Sequence, residues 1–200
     1  MATAARSAPL PGPTGTAPLV EQPQFQEIVQ RSRSLTQKIL TSIPDTHTSC
    51  VHAETLQLNS TENSKLSRMA AIIRIPTIPV LKVVSENVTL ESSLRLMHEG
   101  LQLHRASLTL LSARLENNEE LTKLISDIRD LLVQINKMMN MAKTEGSVQP
   151  SPTTVDLHLP GEYEVQVAVH LTLVQLQSFG QDMVRCLRSL DLTDDKEAES

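Results

Sequence analysis

The chain has 200 residues, with 18 Lys and Arg against 23 Asp and Glu and a formal net charge of −5, so electrostatics gives no case for binding nucleic acid or an anionic membrane. Apolar residues make up 40%, enough for the core of one domain with tails, whereas aromatics are 2% and tryptophan is absent. A core built from Leu, Ile, Val and Met suits close-packed helices better than a sheet stitched by aromatic pairs, and no apolar run reaches the length of a membrane span.

Residues 1–20 carry Pro9, Pro11, Pro13, Pro18, Gly12 and Gly15 and cannot bury enough to order themselves, so a flexible arm is expected. The opening Met1-Ala2-Thr3-Ala4-Ala5-Arg6 lacks the continuous apolar core of a signal peptide; the chain as it stands is expected to be a mature form or a protein that is not secreted. A first long helix is expected over 22–43, with Pro23 in its first turn, Phe25, Ile28, Ser32, Leu35, Ile39 and Ile43 on its core face, and Pro44 as its stop. Residues 44–85 read as a long polar connection whose apolar part, 69–84, packs on the bundle and has room for one short helical turn.

A second long helix is expected over 89–116, capped by Thr89. Leu90, Leu94, Met97, Leu101, His104, Leu108, Leu111 and Leu115 form a heptad seam in which His104 reads as a core histidine hydrogen-bonded nearby. The third, over 118–144, opens with Glu119 and Glu120 at the positive end of its dipole and ends near Lys143 and Gly146. Its core face is Leu121, Leu124, Ile128, Leu131, Ile135, Met138 and Ala142. Opposite lies a polar stripe of Lys123, Asp127, Asp130, Gln134 and Lys137, expected to be a solvated face with Lys123 and Asp127 as a weak pair.

After a link containing Pro150, Pro152 and Pro160 comes the longest apolar stretch, 163–190. Val169, Leu173, Leu176, Gly180, Met183, Leu187 and Leu190 fall at helical spacing, whereas Tyr163, Val165, Val167, Val169, Leu171 and Leu173 alternate as a half-buried strand would. No other segment offers a strand to pair with it, so one helix over 161–190 is expected. Residues 191–200 read as an acidic, disordered tail.

The fold class is therefore all-α, a four-helix bundle spanning 21–190. Helices of about 25 residues are roughly 40 Å long. The first link, and the third at about 16 residues of about 3.4 Å each, can run that length, but the second cannot. Up-up-down-down with two long crossovers is favoured, and up-down-up-down stays open.

Enzyme chemistry finds no support. There is no Gly-rich phosphate loop, no Cys-x-x-Cys and no Glu-x-x-His, and His98 and His104 lack the spacing to share a metal. No catalytic residue, metal or cofactor is expected. Asn59-Ser60-Thr61 and Asn87-Val88-Thr89 are N-glycosylation acceptors for a secreted chain.

Leu176-Gln177-Ser178-Phe179, followed after five residues by Arg185-Cys186-Leu187-Arg188-Ser189-Leu190, resembles the last helix of the granulocyte colony-stimulating factor family. Gly100-Leu101-x-Leu103 and Ile75-Pro76-x-x-Pro79 resemble the same family's second helix and the loop before it, and together these pieces span about residues 20–190 in matching order. The resemblance implies a secreted long-chain four-helix cytokine, a monomer before it binds. It would cross-link a class I cytokine receptor through two surface sites and drive granulocyte and myeloid proliferation and differentiation. In that resemblance Asp127 and Asp130 fall where the third helix carries receptor-contacting carboxylates, and Glu54 and Tyr163 fall near the second site's acid and aromatic. The helix-one glutamate aligns with Pro23, leaving Glu21 or Glu27 to substitute.

The chain departs from the family at the second disulfide, where Val83 and Ser93 stand. It departs again at Pro44, where the partner of Cys50 would lie, and at His104, which replaces an aromatic. Cys50, after the top of the first helix, and Cys186, near the bottom of a descending fourth, are expected not to bond to each other. The alternative reading is an intracellular structural or adaptor bundle without receptor activity, for which unpaired cysteines speak. A lipid-surface protein is disfavoured by the negative charge.

Overall fold

A computed structural model describes residues 19–143 and 151–193. Within them the chain forms five α-helices and one 3-10 turn: α1 (Pro23–Cys50), the turn (Thr61–Leu66), α2 (Ser67–Ile73), α3 (Leu90–Ser112), α4 (Glu119–Ala142) and α5 (Glu162–Arg188). The described residues contain no strand, only an isolated bridge between Ser85 and Val88. Most of the expected arm, Gly146, Pro150 and the tail beyond Thr193 lie outside the described residues. No helix among them is long and apolar enough to cross a membrane.

The four long helices pack in a ring, α1 against α4 and α5, and α3 against the same two. Each turns a stripe of Leu, Ile, Val and Met inward, and Phe25, Ile43, Leu94, Met97, Leu121, Ile128, Leu173 and Leu187 are fully or almost fully buried. The expected core faces of α3 and α4 are met up to Leu111 and Met138.

α1 does not stop at Pro44. It runs seven residues further than the sequence suggested, to Cys50. A proline inside a helix forfeits one hydrogen bond and crowds the carbonyl four residues back, at a cost of about 3 kcal/mol. The continuing turns bury Thr46, His47 and Cys50, and they bring His47 to His170 on α5 at 2.9 Å. Side-chain hydroxyls also take up carbonyls around the proline: Thr46 donates to Ser42 at 2.9 Å and Thr48 to Pro44 at 3.0 Å. The core face of α1 rotates accordingly. Ile28 and Leu35 are half-buried, while Ser32 and Thr36 sit inside, their hydroxyls satisfied by the carbonyls four residues back at 2.7 and 2.8 Å.

α3 carries its expected cap, the Thr89 hydroxyl accepting from the Ser92 amide at 3.1 Å. It ends at Ser112 rather than 116, because Asn118 donates from Nδ2 to the Ser112 carbonyl at 2.9 Å and closes the helix there, leaving Leu115 partly exposed. Ser93, where the resemblance would place a disulfide, donates to the Lys82 carbonyl at 2.8 Å and pins the incoming segment by a hydrogen bond.

α5 is helical from its first residues. Val165 and the unbroken run from Val167 to Leu173 are buried, since α1, α2 and α3 all pack on α5. Of the polar members of the alternating pattern, His170 and Thr172 are buried and Glu164 and Gln166 half-buried. Gln166 donates to the Cys50 carbonyl at 2.9 Å and accepts from the His52 amide at 2.7 Å, so it ties the connection after α1 to α5.

The ends of the domain are held more firmly than tails would be. Gln26 donates to the carbonyls of Val20 and Leu190 at 2.7 and 2.8 Å and accepts from the Leu192 amide at 3.1 Å. Asp191, expected in a disordered tail, is buried and ion-paired with Arg33. The two long connections also touch, through His158 donating its amide to the Ile73 carbonyl at 2.8 Å and Arg74 pairing with Asp156 at 3.0 Å.

Candidate functional site

The residues that the resemblance singles out fall into separate places. On α4, Asp127 is not on a solvated face: it is buried against α1, its side chain 13% accessible, and accepts from Lys38 Nζ at 2.7 Å. Gln134, two turns on, is buried as well. The expected Lys123–Asp127 pair does not form. Lys123 instead reaches back to Glu120 at 2.9 Å and Glu119 at 3.7 Å, the acids at the start of its own helix. The Asp127 hydrogen bond, then its charge, hold the Lys38 ammonium above the usual lysine range, and the charge of Asp130 adds to this.

Asp130 is the exposed member, with a side chain 52% accessible beside Arg129 at 3.5 Å. The α1–α4 face therefore presents a mixed strip, Lys38 and Asp130 outward with Asp127 beneath. Glu27 is exposed on α1 but lies about three turns, roughly 16 Å, from Lys38, and exposed Glu21 precedes the helix. The structure brings Asp127, Asp130 and Lys38 together and leaves Glu21 and Glu27 apart from them.

The second group lies where α1 ends and α5 begins. Tyr163, 53% exposed, sits in the first turn of α5, and Glu54 is exposed on the connection after α1. The His52–Gln166 hydrogen bond fixes the two neighbourhoods to each other. A cleft of ≈ 440 Å³ lined by Ser49, His52, Arg114, Glu116, Glu162 and Gln166, among others, opens at this end.

Both glycosylation acceptors are exposed on turns, Asn59 just before the 3-10 turn and Asn87 inside a tight turn closed by reciprocal backbone hydrogen bonds between Ser85 and Val88 at 3.1 and 3.2 Å. Cys50 and Cys186 are free and buried, and burial is the main influence pushing both thiols above their ordinary range.

His104 occupies the core position the sequence assigned it. Its Nδ1 donates to the Gly100 carbonyl at 2.7 Å, since a carbonyl can only accept, and its ring lies 5.2 Å from that of Phe179. Nε2 finds no hydrogen-bond partner, and burial drives the imidazole down to about 4.

A second histidine cluster escaped the sequence reading. His47 on α1 and His170 on α5 meet with Nε2 and Nδ1 at 2.9 Å, and His170 Nε2 reaches Asn63 Oδ1 of the 3-10 turn at 2.8 Å. The signal was present, because positions 39, 43, 46, 47 and 50 continue the helical period of α1, but the proline masked it. No group of three or more His, Cys, Asp or Glu able to hold a metal occurs among the described residues. In sequence comparison no protein-family model matches the chain, and no curated protein matches it.

Proposed function

We propose that the protein is a secreted cytokine of the granulocyte colony-stimulating factor kind, with its long helices ordered up-up-down-down. It acts by cross-linking a class I cytokine receptor, without catalysis, to drive granulocyte and myeloid growth. The helix order is supported by contacts pairing Gln26 with Leu190 and His47 with His170, which run α1 against α5, by Arg114 after α3 donating to the Leu159 carbonyl before α5 at 3.0 Å, which sets the end of α3 beside the start of α5, and by the short link 113–118.

The observation that carries the receptor reading is the exposed acid Asp130 set beside Lys38 on the α1–α4 face, with Tyr163 at the start of α5 and Glu54 on the connection after α1 exposed away from it. Separate surface sites are what bringing two receptor chains together requires, and an exposed aromatic suits a compact contact. Titration against a granulocyte colony-stimulating factor receptor ectodomain, read as the mass of the complex, tests this. A complex weakened by Asp130→Lys supports it, and no complex at micromolar protein overturns it.

The two free thiols favour a second reading, an intracellular structural or adaptor bundle without receptor activity. Glycan on Asn59 or Asn87 of the protein from its native source would exclude that alternative.

A further inference from the structure

We propose that His47, His170 and Asn63 form an acid-operated latch that fastens the connection 51–66 to the bundle at neutral pH and releases it on acidification. Asn63 donates from Nδ2 to the carbonyls of Gln57 and Leu58 at 3.2 and 2.9 Å, which turns its Oδ1 towards His170. That oxygen only accepts, so His170 Nε2 carries a proton. In the neutral ring Nδ1 then holds a lone pair, and His47 Nε2 donates to it. One arrangement of protons thus satisfies the whole chain of three side chains, and both rings are neutral in it.

A first added proton can sit on His47 Nδ1 without breaking a bond. A second must go to His170 Nδ1, where it faces the His47 Nε2 proton, and two imidazolium rings whose centroids are 5.2 Å apart then repel in a buried site. Neither ring is paired with a carboxylate: they bond to each other and to Asn63. The charged groups on the elements packed round the pair are Asp45 on α1, Glu54 on the connection, Glu62 and Lys65 paired with each other on the turn, Arg68 on α2, Glu162 and Glu164 on α5, and, at the start of α4, Glu119 and Glu120 with Lys123 paired to both. Burial alone lowers His47, and burial followed by the charge of His47 lowers His170 to about 4.

The conflict lies at the His47–His170 contact and leaves the His170 Nε2–H bond to Asn63 unopposed, so the charged ring relieves it by turning out towards water. α1 and α5 are locked into the core, and the turn that carries Asn63 over the ring, which has no buried residue of its own, is what gives way. The segment it fastens carries Glu54 and Asn59. The latch stands without the receptor reading, since its parts are structural.

Amide hydrogen exchange on the full chain tests it at pH 7 and pH 5, corrected for intrinsic rates. Protection across 52–66 is expected to fall by about tenfold or more while α4 stays protected. In the double variant His47→Gln, His170→Gln the protection should no longer depend on pH, and in His158→Gln, an exposed control, the fall should persist. Unchanged protection in the wild-type chain, a fall surviving in the double variant, or a fall centred on α3 with its buried His98 and His104 would each overturn the latch. Should the double variant not fold, the ring resonances of His47 and His170 in the wild-type chain decide: they should titrate together with the amides of Leu56, Leu58 and Asn63, and a different midpoint overturns it.

Discussion

Lys38 on α1 donates to Asp127 on α4 across 2.7 Å, and the two ends of this pair are unlike: the lysine side chain is 64% accessible and the aspartate 13%. The carboxylate is thus part of the helix–helix contact, with the ammonium as its cover towards water. Asp130, one turn later, has no such role.

The two acids should therefore separate in a charge-reversal experiment. Asp127→Lys sets a second ammonium against Lys38 in a buried position and should lower the melting midpoint by about 5 °C. Asp130→Lys should leave the melt within about 1 °C, so a loss of receptor binding in that variant reports the surface alone. Thermal scans of both variants at equal concentration check the separation, and equal melts would mean the Lys38 contact does not matter to the fold.

The two close approaches of helices at glycine differ in the same testable way. A Cβ at Gly100 would stand 2.3 Å from Phe179 Cζ and 2.4 Å from Cε2, inside a ring that is itself buried and packed on His104. Gly100→Ala should cost about 2–3 kcal/mol, as overpacking does. At Gly180 the neighbour is Leu40 Cδ2 at 2.7 Å, the far end of a flexible, half-buried side chain. There the helix propensity gained from alanine, about 1 kcal/mol, should offset the shift and leave Gly180→Ala within about 0.5 kcal/mol of the parent. Urea midpoints measured side by side give both values.

Local periodicity made the apolar stripes of α3 and α4 legible, because each runs unbroken at helical spacing, and Thr89 announced the cap of α3. It failed where tertiary contacts overrode local rules. Pro44 is a helix breaker only when nothing beyond it gains by staying helical, and Thr46, His47 and Cys50 are buried there. Asp127 and Gln134 read as solvent-facing because helical spacing cannot tell that α4 is covered on two sides, by α1 as well as α3. The alternation in α5 gave way to burial on every side from Val167 to Leu173, with His170 inside and hydrogen-bonded and Gln166 half-buried and bonded to the connection after α1. Of the candidate site, the exposure of Asp130 followed from the polar stripe of α4, whereas that of Glu54 and Tyr163 depends on which neighbours cover them and was not in the residue pattern. The pairing of His47 with His170 joins positions 123 residues apart, which no local pattern encodes.

Pro44 itself is a stabilisation waiting to be collected. Pro44→Ala restores an amide donor in the middle of α1 and relieves the crowding at residue 40, gains offset in part by the freer unfolded chain. Chemical denaturation should show a gain of about 1–2 kcal/mol with an unchanged slope. A loss of stability would mean that α1 is bent at the proline in a way its packing requires.

His104 gives the protein's core a pH dependence separate from the latch. Its imidazole is held down to about 4 by burial, against 6.5 in the unfolded chain, so the unfolded state takes up a proton that the folded state refuses. Between those two values the unfolded chain binds more protons, and stability must rise with pH. The contribution is fully present above pH 6.5 and is lost as the pH falls towards 4. From pH 7 to pH 5 this one residue should cost on the order of 2 kcal/mol. His104→Leu removes the titrating ring and the unpartnered Nε2 together, so its stability curve should be flatter than the parent's by that amount, as measured by urea unfolding at the two pH values. A parallel pair of curves would place the acid sensitivity at other histidines, and exchange data on the 52–66 segment would then have to account for all of it.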